Sequence, residues 1–239
     1  MMSLEPLKLT WQLASPIVVG AHPLHLDSLV AWAQTQEALA AMSVEEAAAS
    51  KANIRELATR PLPLGREERD GKWVWQASAV RSSGPSTHAI RYWTRKTDLY
   101  DHASRVEAGQ IDGRFSLPLK PHSHSPKLDT VRGPFKQQFK FYPVKSVSTV
   151  EAWCIGDKER LLELLVTHVT HVGAKGRMGH GAVVRCDIEH DPHAVHRWQE
   201  RVLPWPHEGA ESLQLAVHPP YWAPEHLGPA WARPELFGG

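Results

Sequence analysis

The nine residues Gly173-Ala-Lys-Gly-Arg-Met-Gly-His-Gly181 place four glycines around Lys175, Arg177 and His180. Glycine tolerates positive φ and leaves the backbone open to close approach, while the two cations and the imidazole offer donors to an anion. A polyanion suits that chemistry best. The flanking segments exclude the commonest nucleotide sites. Before the loop, Leu161, Leu162, Leu165, Val166 and Val169 recur at helical spacing within Lys158 to His171; after it, Val184, Cys186 and Ile188 alternate with Arg185, Asp187 and Glu189 as in a half-buried strand. Dinucleotide and P-loop sites run from strand to helix, so that the phosphate meets a helix N-terminus. This loop runs the other way. Gly173, Gly176, Gly179 and Gly181 are therefore expected to shape a phosphate-contacting loop, with Lys175 and Arg177 the leading contacts and His180 either a third contact or a cap on the turn. The plain alternative is an awkward turn, although a turn needs one or two glycines rather than four.

A second group of candidates lies where charge is concentrated. The chain has a net charge of +1, yet residues 81–145 hold 12 Lys and Arg against 5 Asp and Glu, and both flanks are net acidic. A neutral protein with a basic middle third carries the footprint of nucleic-acid contact, a solvated basic surface being the alternative. Arg91, Trp93, Arg95 and Lys96 mix cations with an aromatic ring, and strand alternation puts Arg91, Trp93 and Arg95 on one face and Tyr92 on the other. A tryptophan between arginines stacks a splayed base while the cations hold phosphates; as an ordinary core tryptophan it would do neither. Arg132, Phe135, Lys136 and Lys140 repeat the theme, with Phe135 as a wedge between bases. Gln137 and Gln138, with Lys51 and Asn53 on an alanine-rich helix, are candidates for base-edge contact with DNA.

Other chemistry is sparse. His22 and His25 are the candidates for a general acid or base, but no residue at fixed spacing is nominated as a partner, so no catalytic residue is assigned. His122 and His124 make half a metal site with no cysteine or acid at zinc spacing, and neither metal nor cofactor is expected. Asp187, Glu189, His190 and Asp191 read as an exposed strand end. Cys154 and Cys186 are too few for a disulfide framework. No stretch approaches the ~20 apolar residues of a membrane span, and the first residues carry no apolar leader. A cytoplasmic protein is expected.

The elements that must hold these residues follow from periodicity. Leu7, Leu9, Trp11 and Leu13 mark a first strand, and Leu26, Leu29, Val30 and Ala33 a first helix. Ser43 and Glu46 form a capping box for a second helix reaching Thr59. Strands are predicted at Trp73–Val80, at Ala89–Lys96 and within Ser146–Ile155. Residues 97–143 read as an inserted basic arm. Residues 192–239, rich in Pro and Trp, read as a wrap around a single domain of 1–239, anchored by Trp205, Tyr221, Trp222 and Trp231. Without the insertions this is an α+β, ferredoxin-like split βαβ arrangement with strand order 4-1-3-2, which would keep Cys154 and Cys186 apart on either side of the first strand.

A ferredoxin-like domain with a glycine-rich loop between its last helix and last strand resembles the RAMP superfamily of CRISPR-associated proteins. Pro23-Leu-His-Leu-Asp-Ser-Leu-Val-Ala31 resembles the P-(I/L)-H-L-D-x-L-L-A opening helix of the subunits that cap the crRNA 5′ handle, with Val30 in place of Leu. Pro219-Pro-Tyr-Trp222 is similar to the type IV (Csf-type, Cas-five-like) members. The resemblance covers the first helix and Ser146 to Tyr221, and the arm by position alone. It implies a non-catalytic RNA-binding subunit with three companions: crRNA, a backbone filament subunit and a large subunit. Target DNA beside the guide is a fourth. The alternative it carries is a metal-independent endoribonuclease acting on repeat RNA through His25 or His22; for His25, which lies inside the opening-helix motif, the resemblance implies a structural role in capping or packing ahead of catalysis.

Overall fold

The computed structural model describes residues 3–18, 20–43, 45–46, 54–96, 98–110 and 136–237. In chain order the elements are β1 (Leu4–Leu13), β2 (Ile17–Val18), α1 (Leu26–Ala40), α2 (Ile54–Ala58), β3 (Arg66–Arg69), β4 (Lys72–Trp75), β5 (Arg81–Ser83) and β6 (Thr87–Arg95). They continue with α3 (Leu99–Glu107), β7 (Gln138–Ser146), β8 (Thr149–Asp157), α4 (Lys158–His168), β9 (Val183–His190), α5 (Ala194–Arg197), β10 (Glu211–Ala216) and β11 (Leu227–Ala232). The chain divides into two compact units, one of residues 1–89 with 144–239 and one of residues 90–143.

The larger unit is a mixed α/β structure built on an antiparallel sheet ordered β5-β8-β1-β9. Numbered by sequence, that order is second, third, first, fourth. Strand β1 is central because Leu7, Leu9 and Trp11 put a continuous apolar face on one side, and all three are fully buried. They meet Leu26, Val30 and Ala33 of α1 and Leu161, Leu164 and Leu165 of α4 in one core. Asp157 caps α4 by accepting from Arg160 N–H at 3.1 Å, and the Arg160 guanidinium reaches Glu37 on α1 at 2.9 Å. Leu162 and Val166 are 41% and 58% exposed, so the buried stripe of α4 is narrower than its apolar content suggests. Cys154 pairs across from Leu7 and Cys186 from Trp11, on strands either side of β1. Both thiols are free, and burial pushes the Cys186 thiol up to about 12.

Two segments depart from expectation. A single strand over Trp73–Val80 is replaced by a β3–β4 hairpin followed by the short edge strand β5. The cause is local: Asp70 and Gly71 both take positive φ, 51° and 73°, the turn that reverses a two-residue hairpin. The C-terminal segment contains a second hairpin, β10–β11. Trp205 is buried there as expected, whereas Trp222 is 64% exposed and anchors nothing. The capping box is present, with Ser43 N–H donating to Glu46 at 2.9 Å and Glu46 N–H to Ser43 Oγ at 3.2 Å.

In the smaller unit, β6 and β7 neighbour one another in a sheet, and α3 begins with Asp98 accepting from the N–H groups of Tyr100 and Asp101.

Candidate nucleic-acid interface

The glycine loop is closed at its neck by its own backbone. Val172 N–H donates to Gly181 carbonyl at 2.8 Å, and Val183 N–H to Thr170 carbonyl at 2.9 Å. Gly181 N–H donates to Pro16 carbonyl at 2.9 Å, while Ser15 Oγ donates to Gly179 carbonyl at 2.7 Å and accepts from Ala182 N–H at 2.9 Å. The glycines therefore have different uses. A Cβ on Gly181 would fall 1.9 Å from the Val172 carbonyl oxygen, at φ +66°, so this glycine lets the chain cross itself. Gly176 faces the His171 side chain. Gly179 takes φ +81° with open space around it. Between them Gly176–Met178 forms a single 3₁₀ turn, preceded by Lys175 in the left-handed region at φ 62°. Lys175 and Arg177 are exposed at the tip, and His180 Nδ1 lies 3.3 Å from Pro16 carbonyl. The loop is thus a pinned platform presenting two cations.

The opening helix puts its charged residues to another use. His25 is 3% exposed, and its Nε2 accepts from Val202 N–H at 3.3 Å, which leaves the proton on Nδ1. Its ring stacks on Tyr221 with centroids 5.0 Å apart. Burial, then the nearby Arg201 charge, hold its pKa well below the ordinary value. Asp27, fully buried, accepts from both Nη groups of Arg201 at 3.1 Å and from Tyr221 hydroxyl at 2.8 Å. Arg201 also donates to the carbonyls of Trp75, Ala77 and Val217. This hub fastens the C-terminal segment to the start of α1. His25 makes no side-chain cap and is enclosed by protein. His22 is exposed.

In the smaller unit, Arg91, Arg95, Lys96, Lys136, Gln137 and Lys140 are exposed, while Trp93 and Gln138 are half-buried. The exposed rings belong to other residues. Tyr92, Phe139 and Phe141 are 66%, 59% and 63% exposed, and they touch in series, with centroids 5.7 and 4.7 Å apart. Alternation in Gln138-Phe-Lys-Phe141 carried that signal, since it sets both phenylalanines on one face and Lys140 on the other. Arg132, Phe135, Lys51, Asn53, His122 and His124 lie outside the described residues. Among the described residues no group of three His, Cys, Asp or Glu side chains could hold a metal ion.

The family model for the CRISPR type IV associated protein Csf3 matches residues 5–233, which takes in the hub, the glycine loop and the arm. The chain belongs to that family. No curated protein matches it. In this Csf3-family chain the other face of the central sheet is also covered. Trp153, 2% exposed, lies beneath the Arg197 guanidinium at 3.2 Å from ring centroid to Cζ, and its Nε1 donates to Asp191 at 3.0 Å. Ser15 and Pro16, which pin the loop, carry no local signal of that role, because they meet it from the far end of the chain. Among the described residues no helix is long and apolar enough to cross a membrane.

Proposed function

We propose that this protein is the non-catalytic subunit of a type IV CRISPR ribonucleoprotein that holds the 5′ handle of the crRNA. The observation that carries the reading is the pinned loop: its backbone is spent on closing its own neck, so Lys175 and Arg177 are held outward at a fixed place. Membership of the CRISPR type IV associated family supports reading the polyanion as RNA. The strand order β9-β1-β8-β5, antiparallel throughout, supports reading the sheet as the ferredoxin-like fold of the RAMP superfamily. A backbone filament subunit and a large subunit are the protein companions. Gln137 and Gln138 are the candidates for a contact with flanking target DNA, and the cytoplasm is the compartment. Against an endoribonuclease acting through His25 stands the burial of that imidazole under Tyr221; His22 is the histidine left to carry that alternative. Against a free-standing module that stacks RNA on an open sheet stands the burial of Trp11 and Trp153.

The test is a salt titration of binding to a crRNA carrying the 5′ handle, with a labelled repeat RNA assayed for cleavage in parallel. Wild type should bind and leave the repeat intact. The Lys175→Ala/Arg177→Ala variant should weaken binding and lower the slope of log K against log salt by about two. Cleavage abolished by His22→Ala would replace this reading with the nuclease, and an unchanged slope would remove the loop from the interface.

A further inference from the structure

A cleft of about 520 Å³ lies beside the root of the glycine loop. Its walls are mostly apolar, with Ile17, Val18, Val80, Val150 and Phe237 among them, and Gly173 contributes from the loop itself. One wall carries Lys145, which is only 6% exposed and donates from Nζ to Ser82 Oγ at 2.7 Å. Both residues line the cleft. Among the described residues the ammonium has this one hydroxyl as partner and no carboxylate within ion-pair distance. Arg81 also lines the cleft, but its guanidinium is paired with Glu200 at 2.9 Å. Glu235 and His22 are exposed at the rim.

An ammonium removed from water without a counter-charge is unfavourable. It has three N–H donors and no acceptor, so two remain beyond the bond to Ser82. That arrangement asks for an anion, and the walls beside it ask for a flat apolar group. The volume falls in the range of small-molecule sites, which combine apolar lining with a few placed polar groups. We propose that the cleft is a nucleotide subsite, in which Lys145 and Ser82 hold one phosphate and the apolar walls hold the base attached to it. The inference rests on the RNA-binding reading to the extent that the nucleotide is one unit of the RNA held by the adjoining loop; a free nucleoside monophosphate has the same chemistry, and the experiment separates the two sources.

The full-length protein is titrated with AMP, UMP, adenosine and inorganic phosphate, and separately with the handle RNA, as wild type, Lys145→Met and Ser82→Ala. Methionine keeps the length of the lysine stem and suits the apolar walls. Wild type should bind a nucleoside monophosphate more tightly than the nucleoside or phosphate alone. Lys145→Met should lose that binding by roughly tenfold or more, as expected for a hydrogen bond to a charged group, and Ser82→Ala should lose less. RNA affinity that falls with nucleotide affinity in both variants identifies the RNA as the source. Nucleotide binding that depends on Lys145, without any RNA binding, keeps the cleft as a free-nucleotide site and overturns the RNA reading. RNA binding unaffected by either variant, with no nucleotide binding, overturns the cleft and leaves the RNA reading standing. Should either variant fail to fold, acetylation of wild-type lysines read by mass spectrometry decides: AMP should protect Lys145 selectively, and no selective protection overturns the proposal.

Discussion

At the start of α1, His25 and Asp27 are enclosed with Arg201 and Tyr221, and every polar atom of the Asp27 carboxylate is used inside the protein. In the glycine loop, Lys175 and Arg177 are exposed and the backbone does the fastening. Both regions are short, charged and easily picked out by eye. The difference lies in whether the fold encloses them. The hub is buried, and its charges meet one another in holding the tail in place. The loop carries its cations on an exposed tip. A charged motif therefore offers a surface to a partner only when the fold leaves it exposed.

The sharpest way to break this contrast is Asp27→Ala. It strands the Arg201 guanidinium in the interior and should cost about 3–5 kcal/mol, read as a lower midpoint in urea unfolding. Replacing Asp27 and Arg201 together by Leu and Met leaves no unpaired charge but takes the donor from the carbonyls of Trp75, Ala77 and Val217, so it should cost less than the sum of the two single replacements. Losses that simply add would mean that the two side chains contribute independently rather than as an ion pair.

Next come the loop glycines. Gly181→Ala meets both a positive φ and the Val172 carbonyl at 1.9 Å, and should cost about 2–4 kcal/mol. Gly179→Ala has the strained φ of +81° but open space, and should cost about 1–2 kcal/mol. Similar melting temperatures for the two would remove the neck crossing as the reason for glycine.

The hub also predicts a pH dependence. The pKa of His25 is held well below the ordinary 6.5 by burial, with Arg201 adding to the effect. Below about pH 6.5 the unfolded chain takes up a proton that the native state refuses. Stability is therefore complete above that value and falls as pH drops towards the depressed native pKa, by up to about 1.4 kcal/mol per pH unit for one proton. His218, also lowered by burial, adds in the same direction. The difference between the wild-type and His25→Gln curves isolates the contribution of His25; parallel curves between pH 5 and 7 would show that it titrates normally.

The smallest effect on stability belongs to the arm. Replacing the exposed Arg91, Arg95, Lys96 and Lys136 with Ala should change stability by under about 0.5 kcal/mol each, while weakening RNA binding in a salt-dependent way. Tyr92→Ser/Phe139→Ser/Phe141→Ser extends the test to the uncharged aromatic face. Loss of RNA affinity in the aromatic variant alone would move the contact from the cationic face to the rings.

Much of the scaffold was legible along the chain. The alternation of Leu7, Leu9 and Trp11 sufficed for β1, the Ser43 and Glu46 pair for a helix start, and the helix-loop-strand order for the polarity of the glycine loop. Each depends on residues a few positions apart, where backbone geometry fixes the spacing. The Asp70-Gly71 turn is equally local. The loop's anchor was not local: Ser15 bonds to Gly179 across 164 positions. Nor was the meaning of the opening motif. The Asp27 carboxylate finds its partners Arg201 and Tyr221 from 174 and 194 residues away. The same holds for Lys145, whose burial beside Ser82 comes from a segment 63 positions distant. By itself the sequence determined β1, α1, the helix and strand that flank the glycine loop, and the polarity of that loop, because their periods are properties of the backbone. Tertiary structure alone decided which charges are enclosed and which are exposed, because burial depends on segments that meet only when the chain has folded.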